Sequence, residues 1–278
     1  MTDLARETVD DYGAGWPGKA DNSFLRRTMH AMALRDRYDL ASLLLLAALV
    51  GLVIATFRDY AVTNDEWIQH RYGELILAYY KSGFTDRAVF ELDNLYLYGG
   101  LFDSAAILIG HLVPMDIYNL RHLLCGLIGV GGLAAAMATA RMIAGARAGL
   151  IAGVALAVCG SWYGTMFHHS KDIPLAAAMA GALYFLIRAA RDLPNPKPRH
   201  IVGFGLTTGA ALGIKVLGLL LVGYVGVMIL LSIPASMPLA SREARRFVWA
   251  SFIRFVPALA IAYVIMIVTW PWSALSPL

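Results

Sequence analysis

Charge is what this chain has least of. Of its 278 residues only 15% are Asp, Glu, Lys or Arg, whereas 59% are hydrophobic, and the mean hydropathy is +0.62. Soluble domains run at roughly 25% charged and 45–50% apolar. The balance excludes an ordinary soluble enzyme and points to an integral membrane protein surrounded by lipid. Cysteine is nearly missing as well: Cys125 and Cys159 both sit inside apolar runs. They read as small core residues rather than a disulfide, and no His/Cys cluster with metal-ligand spacing accompanies them. The net charge of +4 is modest and gathered in particular loops, which gives no footing to a nucleic-acid partner. No cleavable signal peptide is visible, because the first 39 residues are polar and charged. Nor does the helix pattern repeat between the two halves, as it would in many secondary transporters.

What is present is a series of long apolar runs. A run of about 18 residues or more is the mark of a spanning helix. Residues 40–57, 120–143, 148–167, 173–187 and 247–270 each qualify or nearly do. Residues 201–233 are interrupted only by Lys215. As one helix, at about 1.5 Å per residue, they would run on the order of 50 Å through a core of roughly 30 Å. Two spans with a break near residues 213–218 fit better. The expected architecture is therefore all-α: a polytopic membrane protein of about seven transmembrane helices.

The basic residues orient it. Arg26, Arg27, Arg35 and Arg37 precede the first span; Arg141 and Arg147 separate the second and third. Arg188, Arg191, Lys197 and Arg199 follow the fourth, and Arg242, Arg245 and Arg246 precede the last. All fall on one side if residues 1–39 form a cytoplasmic amino-terminal segment, leaving 40–278 as the membrane module. Residues 58–119 then make a large outer loop, with nine acidic residues against four Lys/Arg. Within it, "DEWIQHRYGELILAYY" spaces Trp67, Tyr72, Gly73, Ile76, Tyr79 and Tyr80 as an amphipathic interfacial helix would. Residues 101–114 form a second apolar piece, too short to span and so interfacial or re-entrant. The loop has the character of a platform over a site.

Polar groups at membrane depth are costly and therefore functional candidates. In "TNDEWIQHRYGE", Asp65 and Glu66 stand at the mouth of the first span, with His70 and Arg71 a turn further on. A partly desolvated carboxylate there can act as general base on a hydroxyl; a solvated acidic turn is the plainer reading. In "HHSKDIP", His168, His169 and Lys171 could neutralise a phosphate, while Asp172 either caps the next helix or also meets a ligand. Lys215 must snorkel or meet an anion. The glycines at 205, 209, 213 and 218 around it suit close helix packing. Arg121 and His122 open the second span as interfacial anchors or as part of the site. In the orientation above, all four groups share the outer face. Cations that hold a phosphate beside a carboxylate that activates an acceptor would suit a reaction on a lipid-linked phosphate.

Four stretches resemble the GT-C membrane glycosyltransferases, in particular bacterial relatives of the protein O-mannosyltransferases and the lipid A aminoarabinose transferase. They are "TNDEWIQHRYGE", "NLYLYGGLFDSAAILIGHLVP" with "NLRHLLCGLIGV", "HHSKDIPLAAAMAGALYFLIRAA" and "GLTTGAALGIKVLGLLL". The resemblance covers residues 40–272 and implies an inverting transfer from a polyprenyl-phosphate sugar to an acceptor hydroxyl, at the outer face of the bacterial inner membrane. It implies Asp65 as catalytic base with Glu66 in support, and Lys215, Arg121 and Lys171 on the donor phosphate. His168, His169, Asp172, His70 and Arg71 would line the pocket. No cofactor is implied, and the sequence does not indicate a metal. The partners would be the donor, membrane lipids and an acceptor protein, lipid or glycan. Where some relatives carry two prolines and a lysine in the first loop, this chain has "YGGLFD". The family's further spans and outer domain are expected to be missing from these residues. The rival reading is a non-catalytic lipid-carrier-binding or transport subunit built on the same module.

Overall fold

The computed structural model describes residues 36–276, and among them there are helices, turns and loops but no strand. The expected amino-terminal segment lies, up to residue 35, outside the described residues. The first half of the chain forms α1 (Arg37–Thr56), α2 (Asn64–Lys81), α3 (Leu101–Gly110) and α4 (Ile117–Ala144). Next come α5 (Ala146–Ala157), α6 (Gly160–Tyr163), α7 (Asp172–Ala190) and α8 (Pro198–Leu212). The chain closes with α9 (Leu220–Leu231), α10 (Arg242–Thr269) and α11 (Pro271–Leu275).

Four of these, α1, α4, α7 and α10, are long and apolar enough to cross a membrane. The other three expected spans come out short. The third stops as a helix at Ala157, and the chain turns through Val158 and Cys159 into the four-residue α6 between Gly160 and Gly164. Residues 201–233 divide where the glycines predict, into α8, a 3-10 turn over Val216–Leu219, and α9. At about 1.5 Å per residue, α5 and α9 each reach about 18 Å, well short of a roughly 30 Å core.

Two apolar cores hold the bundle. One joins α7, α8, α9 and α10 around Leu186, Phe204, Leu221 and Phe255. The other joins α1, α3 and α4 around Val53, Ala106, Cys125 and Phe167. Glycine spacing explains how α8 meets α10 so closely. A Cβ on Gly205 would stand 2.8 Å from the Ala258 carbonyl oxygen, and one on Gly209 3.0 Å from Ala262 Cα. Small residues four apart thus form a seam through which two backbones approach.

The expected interfacial helix is α2. It buries Tyr72, Gly73, Ile76 and Tyr79, while Trp67, placed on that face by spacing, is exposed instead. Tyr72, Leu75, Ile76, Tyr79 and Val89 form a small core beneath this platform. The platform is tied to the end of α10: Tyr80 Oη donates to the Val268 carbonyl at 2.7 Å, and Trp270 Nε1 donates to the Tyr96 carbonyl at 2.7 Å.

The two ends of the bundle differ in chemistry. At one, Arg141 pairs with Asp39 at 2.5 Å, Arg191 donates to the Met142 carbonyl and Arg254 to Asn195. The other gathers the platform, the turn before α7 and the break after α8.

Candidate active site

The site begins with a helix start. Thr63 is the N-cap of α2, and Glu66, three residues on, reaches back so that Oε2 accepts the Thr63 backbone N–H at 2.7 Å. That is the return arm of a capping box. Glu66 is fully buried, and its Oε1 lies 3.0 Å from His122 Nε2. Burial alone would raise the Glu66 carboxyl, but the contacts with His122 and Thr63 outweigh it and hold it below the usual range. Asp65, one residue earlier, is exposed on the first turn. The adjacent carboxylates therefore have different surroundings, one locked inward and one presented outward.

Deeper in, Arg121 Nη2 donates to Asp103 Oδ1 at 2.8 Å and to Ser170 Oγ at 3.0 Å, with Arg121 and Asp103 both buried. Ser170 Oγ in turn donates to Gln69 Oε1 of α2. Four elements meet on this network: α2, α3, α4 and the turn before α7. Gly73 permits it, since a Cβ there would stand 2.8 Å from the Asp103 carbonyl carbon.

Two lysines complete the site. Lys215 Nζ is 2.6 Å from Asp172 Oδ1, so it meets an anion rather than snorkelling. Asp172 is the first residue of α7 and not its cap, a position taken by Lys171. The Lys171 ammonium is nearly buried, 4.5 Å from the ring centre of Tyr98 and 5.6 Å from that of Tyr72. Tyr98 also faces Lys215, 5.9 Å from the ammonium, and its carbonyl accepts the Tyr72 hydroxyl at 2.7 Å. Arg121 and Lys215 each have a carboxylate within ion-pair distance; among the described residues Lys171 has none. Burial pushes the Lys171 amine down; Asp103 opposes this, and Lys215 and Arg121 reinforce it.

The remaining sequence candidates divide. His169 Nδ1 lies 3.6 Å from Asp172 Oδ2, and the His168 ring is 5.1 Å from that of His169. Both belong to the site's rim. Burial lowers the His168 imidazole. His70 and Arg71 both turn to Glu74, at 3.5 and 2.9 Å. That makes Arg71 part of the α2 surface. Arg121 was expected on the donor phosphate, but it is enclosed and its charge meets Asp103. Among the described residues no three His, Cys, Asp or Glu converge on a point that could hold a metal ion.

Asp103, Tyr98, Ser170 and Gln69 are additions that sequence reasoning did not single out. Asp103 carried a signal: it is a lone carboxylate in an apolar segment, the same oddity that marked Lys215.

An apolar groove of about 470 Å³ leads away from the lysines between α3, α4, α7 and α8. Leu101, Pro174 and Ile214 line it, each within two residues of Asp103, Asp172 or Lys215, and it continues past Ile128 to Ala135 and Thr207.

The family model described as dolichyl-phosphate-mannose-protein mannosyltransferase matches residues 113–272. The chain belongs to that family. It is a membrane glycosyltransferase of the GT-C kind. The match takes in Arg121, His122, the turn before α7, Lys215 and all of α10, and it stops short of Asp65 and Glu66. No curated protein and no solved structure matches the chain.

Proposed function

We propose that this glycosyltransferase draws its sugar from a polyprenyl-phosphate donor and passes it, with inversion, to a hydroxyl arriving at the platform end of the bundle. The observation that carries the reading is Lys171. A nearly buried ammonium with two aromatic faces and, among the described residues, no carboxylate partner is poised for an anion. The groove beside it suits the hydrocarbon tail of the same molecule, which would lie along Leu101, Pro174 and Ile214. Lys215 lies 5.9 Å from the centre of the same Tyr98 ring and would share the phosphate.

In this reading the acceptor oxygen attacks the anomeric carbon, and Asp65 takes the hydroxyl proton. The bond from that carbon to the phosphate oxygen breaks, and its electron pair leaves with the polyprenyl phosphate. Lys171 and Lys215 offset the charge that grows on the leaving phosphate. Arg121 has a supporting role, holding Asp103 and Ser170 beneath the lysines. The arginine-rich end of the bundle would face the cytoplasm of the bacterial inner membrane, which puts the site on the outer face.

The test is transfer of radiolabelled sugar from a panel of polyprenyl-phosphate donors, using membranes that carry the chain or its Asp65→Asn variant. Donor-dependent transfer that the substitution abolishes is expected. Transfer that survives it removes Asp65 as base. No transfer from any donor, by folded protein, would favour a lipid-carrier-binding subunit.

A further inference from the structure

The contact between Glu66 and His122 has a proton count that its geometry fixes. His122 Nδ1 lies 3.2 Å from the Phe57 backbone carbonyl, which can only accept. Nδ1 must therefore carry a hydrogen. Nε2 lies 3.0 Å from Glu66 Oε1, at ion-pair distance, and neither atom finds a hydrogen-bond partner elsewhere among the described residues. Both side chains are within 1% of full burial. A bare imidazole lone pair against a bare carboxylate would leave a buried anion uncompensated, so a proton lies between them. Glu66 Oε2 already accepts the Thr63 N–H at 2.7 Å, at a helix N-terminus that favours negative charge. That assigns the proton to the ring, giving an imidazolium–glutamate pair. The Tyr60 ring stands edge-on to His122 at 6.4 Å.

We propose that Glu66 and His122 form a buried positioning pair that pins the first turn of α2 to α4, and so fixes where the neighbouring Asp65 is presented. Glu66 is then a positioning residue, not a second base. The assignment rests on the glycosyl-transfer reading for its purpose, though not for the existence of the pair. Its chemistry predicts an unusual pattern of substitutions. In Glu66→Gln the amide oxygen can still accept the Thr63 N–H, and the NH₂ can donate to a neutral Nε2. The pin survives without the charge. Glu66→Ala removes it.

The experiment pairs two readouts. In the first, kcat and donor KM are measured for wild type, Asp65→Asn, Glu66→Gln and Glu66→Ala, each checked by thermal unfolding in detergent. Glu66→Gln should keep a kcat close to wild type. Glu66→Ala should lose about tenfold or more in kcat, a barrier of about 1.4 kcal/mol, with donor KM unchanged because the lysines are untouched. Glu66→Gln as inactive as Asp65→Asn, or Glu66→Ala as active as wild type, would overturn the assignment.

The second readout needs no turnover: ¹⁵N NMR of histidine-labelled protein, with the His122 signal assigned by its loss in His122→Asn. Wild type should show both His122 nitrogens protonated at neutral pH, and Glu66→Gln should convert it to a neutral ring protonated at Nδ1. A neutral His122 in wild type refutes the pair. If wild type transfers no sugar while both nitrogens are protonated, the pair stands and the transfer reading falls. If Glu66→Ala does not fold, the Glu66→Gln activity and the NMR decide together.

Discussion

Gly99 lies against the carbonyl of Gly213, and its amide N–H donates to the Ile214 carbonyl at 3.0 Å. The next residues repeat the motif: Leu101 N–H donates to Gly213 O at 2.9 Å, and Gly100 N–H to Thr269 O at 2.9 Å. The "YGG" between α2 and α3 is therefore bonded to the break that ends α8. Tyr98 and Lys215 face each other because of this backbone clamp, which side-chain packing alone would not secure.

Gly99→Ala should open the clamp, since its Cβ would overlap the Gly213 carbonyl. A loss of about 1–3 kcal/mol is expected from overpacking at such a site, with donor affinity falling alongside stability as Tyr98 moves off the lysines. Gly51→Ala, which faces open space, serves as control and should be neutral to slightly stabilising. Thermal unfolding in detergent and donor binding check both.

Lys171 should give donor binding a characteristic pH dependence. Burial lowers its amine, so in the free protein the ammonium is lost on the alkaline side at a pH below the ordinary lysine value of 10.5. Bound phosphate favours the charged form and opposes that loss. Donor affinity is thus expected to fall as pH rises toward 10.5, and Lys171→Met should flatten this limb. Loss of one charge-assisted contact should cost about 1.5–3 kcal/mol, roughly tenfold or more in affinity. Titrating a polyprenyl-phosphate into wild type and variant across pH 7–10 measures both effects; an unchanged alkaline limb in Lys171→Met would remove Lys171 from the phosphate.

Arg121 and Asp103 should prove far more costly to lose singly than together. Either single replacement, Arg121→Met or Asp103→Leu, strands a buried charge at a cost of roughly 3–5 kcal/mol. The double replacement removes both charges and should recover much of that loss. The coupling is read from the double-mutant cycle of unfolding. Additive losses would mean that Asp103 does not compensate Arg121.

How much of this could be read from the chain varies by element. The start of α4, the extent of α7 and α10 and the break near residue 213 were legible, because apolar runs and glycine spacing act locally. The third span was not: its apolar stretch continues to residue 167, yet the backbone leaves the helix at Val158, and hydropathy does not register a turn made of apolar residues. Thr63-x-x-Glu66 is a capping box on its face and separates Glu66 from Asp65 by sequence alone. Lys171 against the Tyr98 and Tyr72 rings, and Lys215 across from Asp172, depended on convergence of distant loops.

What the sequence determined by itself was the membrane character, the all-helical fold and the set of charged residues that could not be idle, since each of these follows from the cost of polar groups in hydrocarbon. Only the tertiary structure decided which charges cancel. Arg121 meets Asp103 across 18 positions, Lys215 meets Asp172 across 43, and among the described residues Lys171 is left unpaired. Electrostatic pairing falls off over a few ångströms, and nothing in the order of residues along the chain sets distances of that size between separate helices.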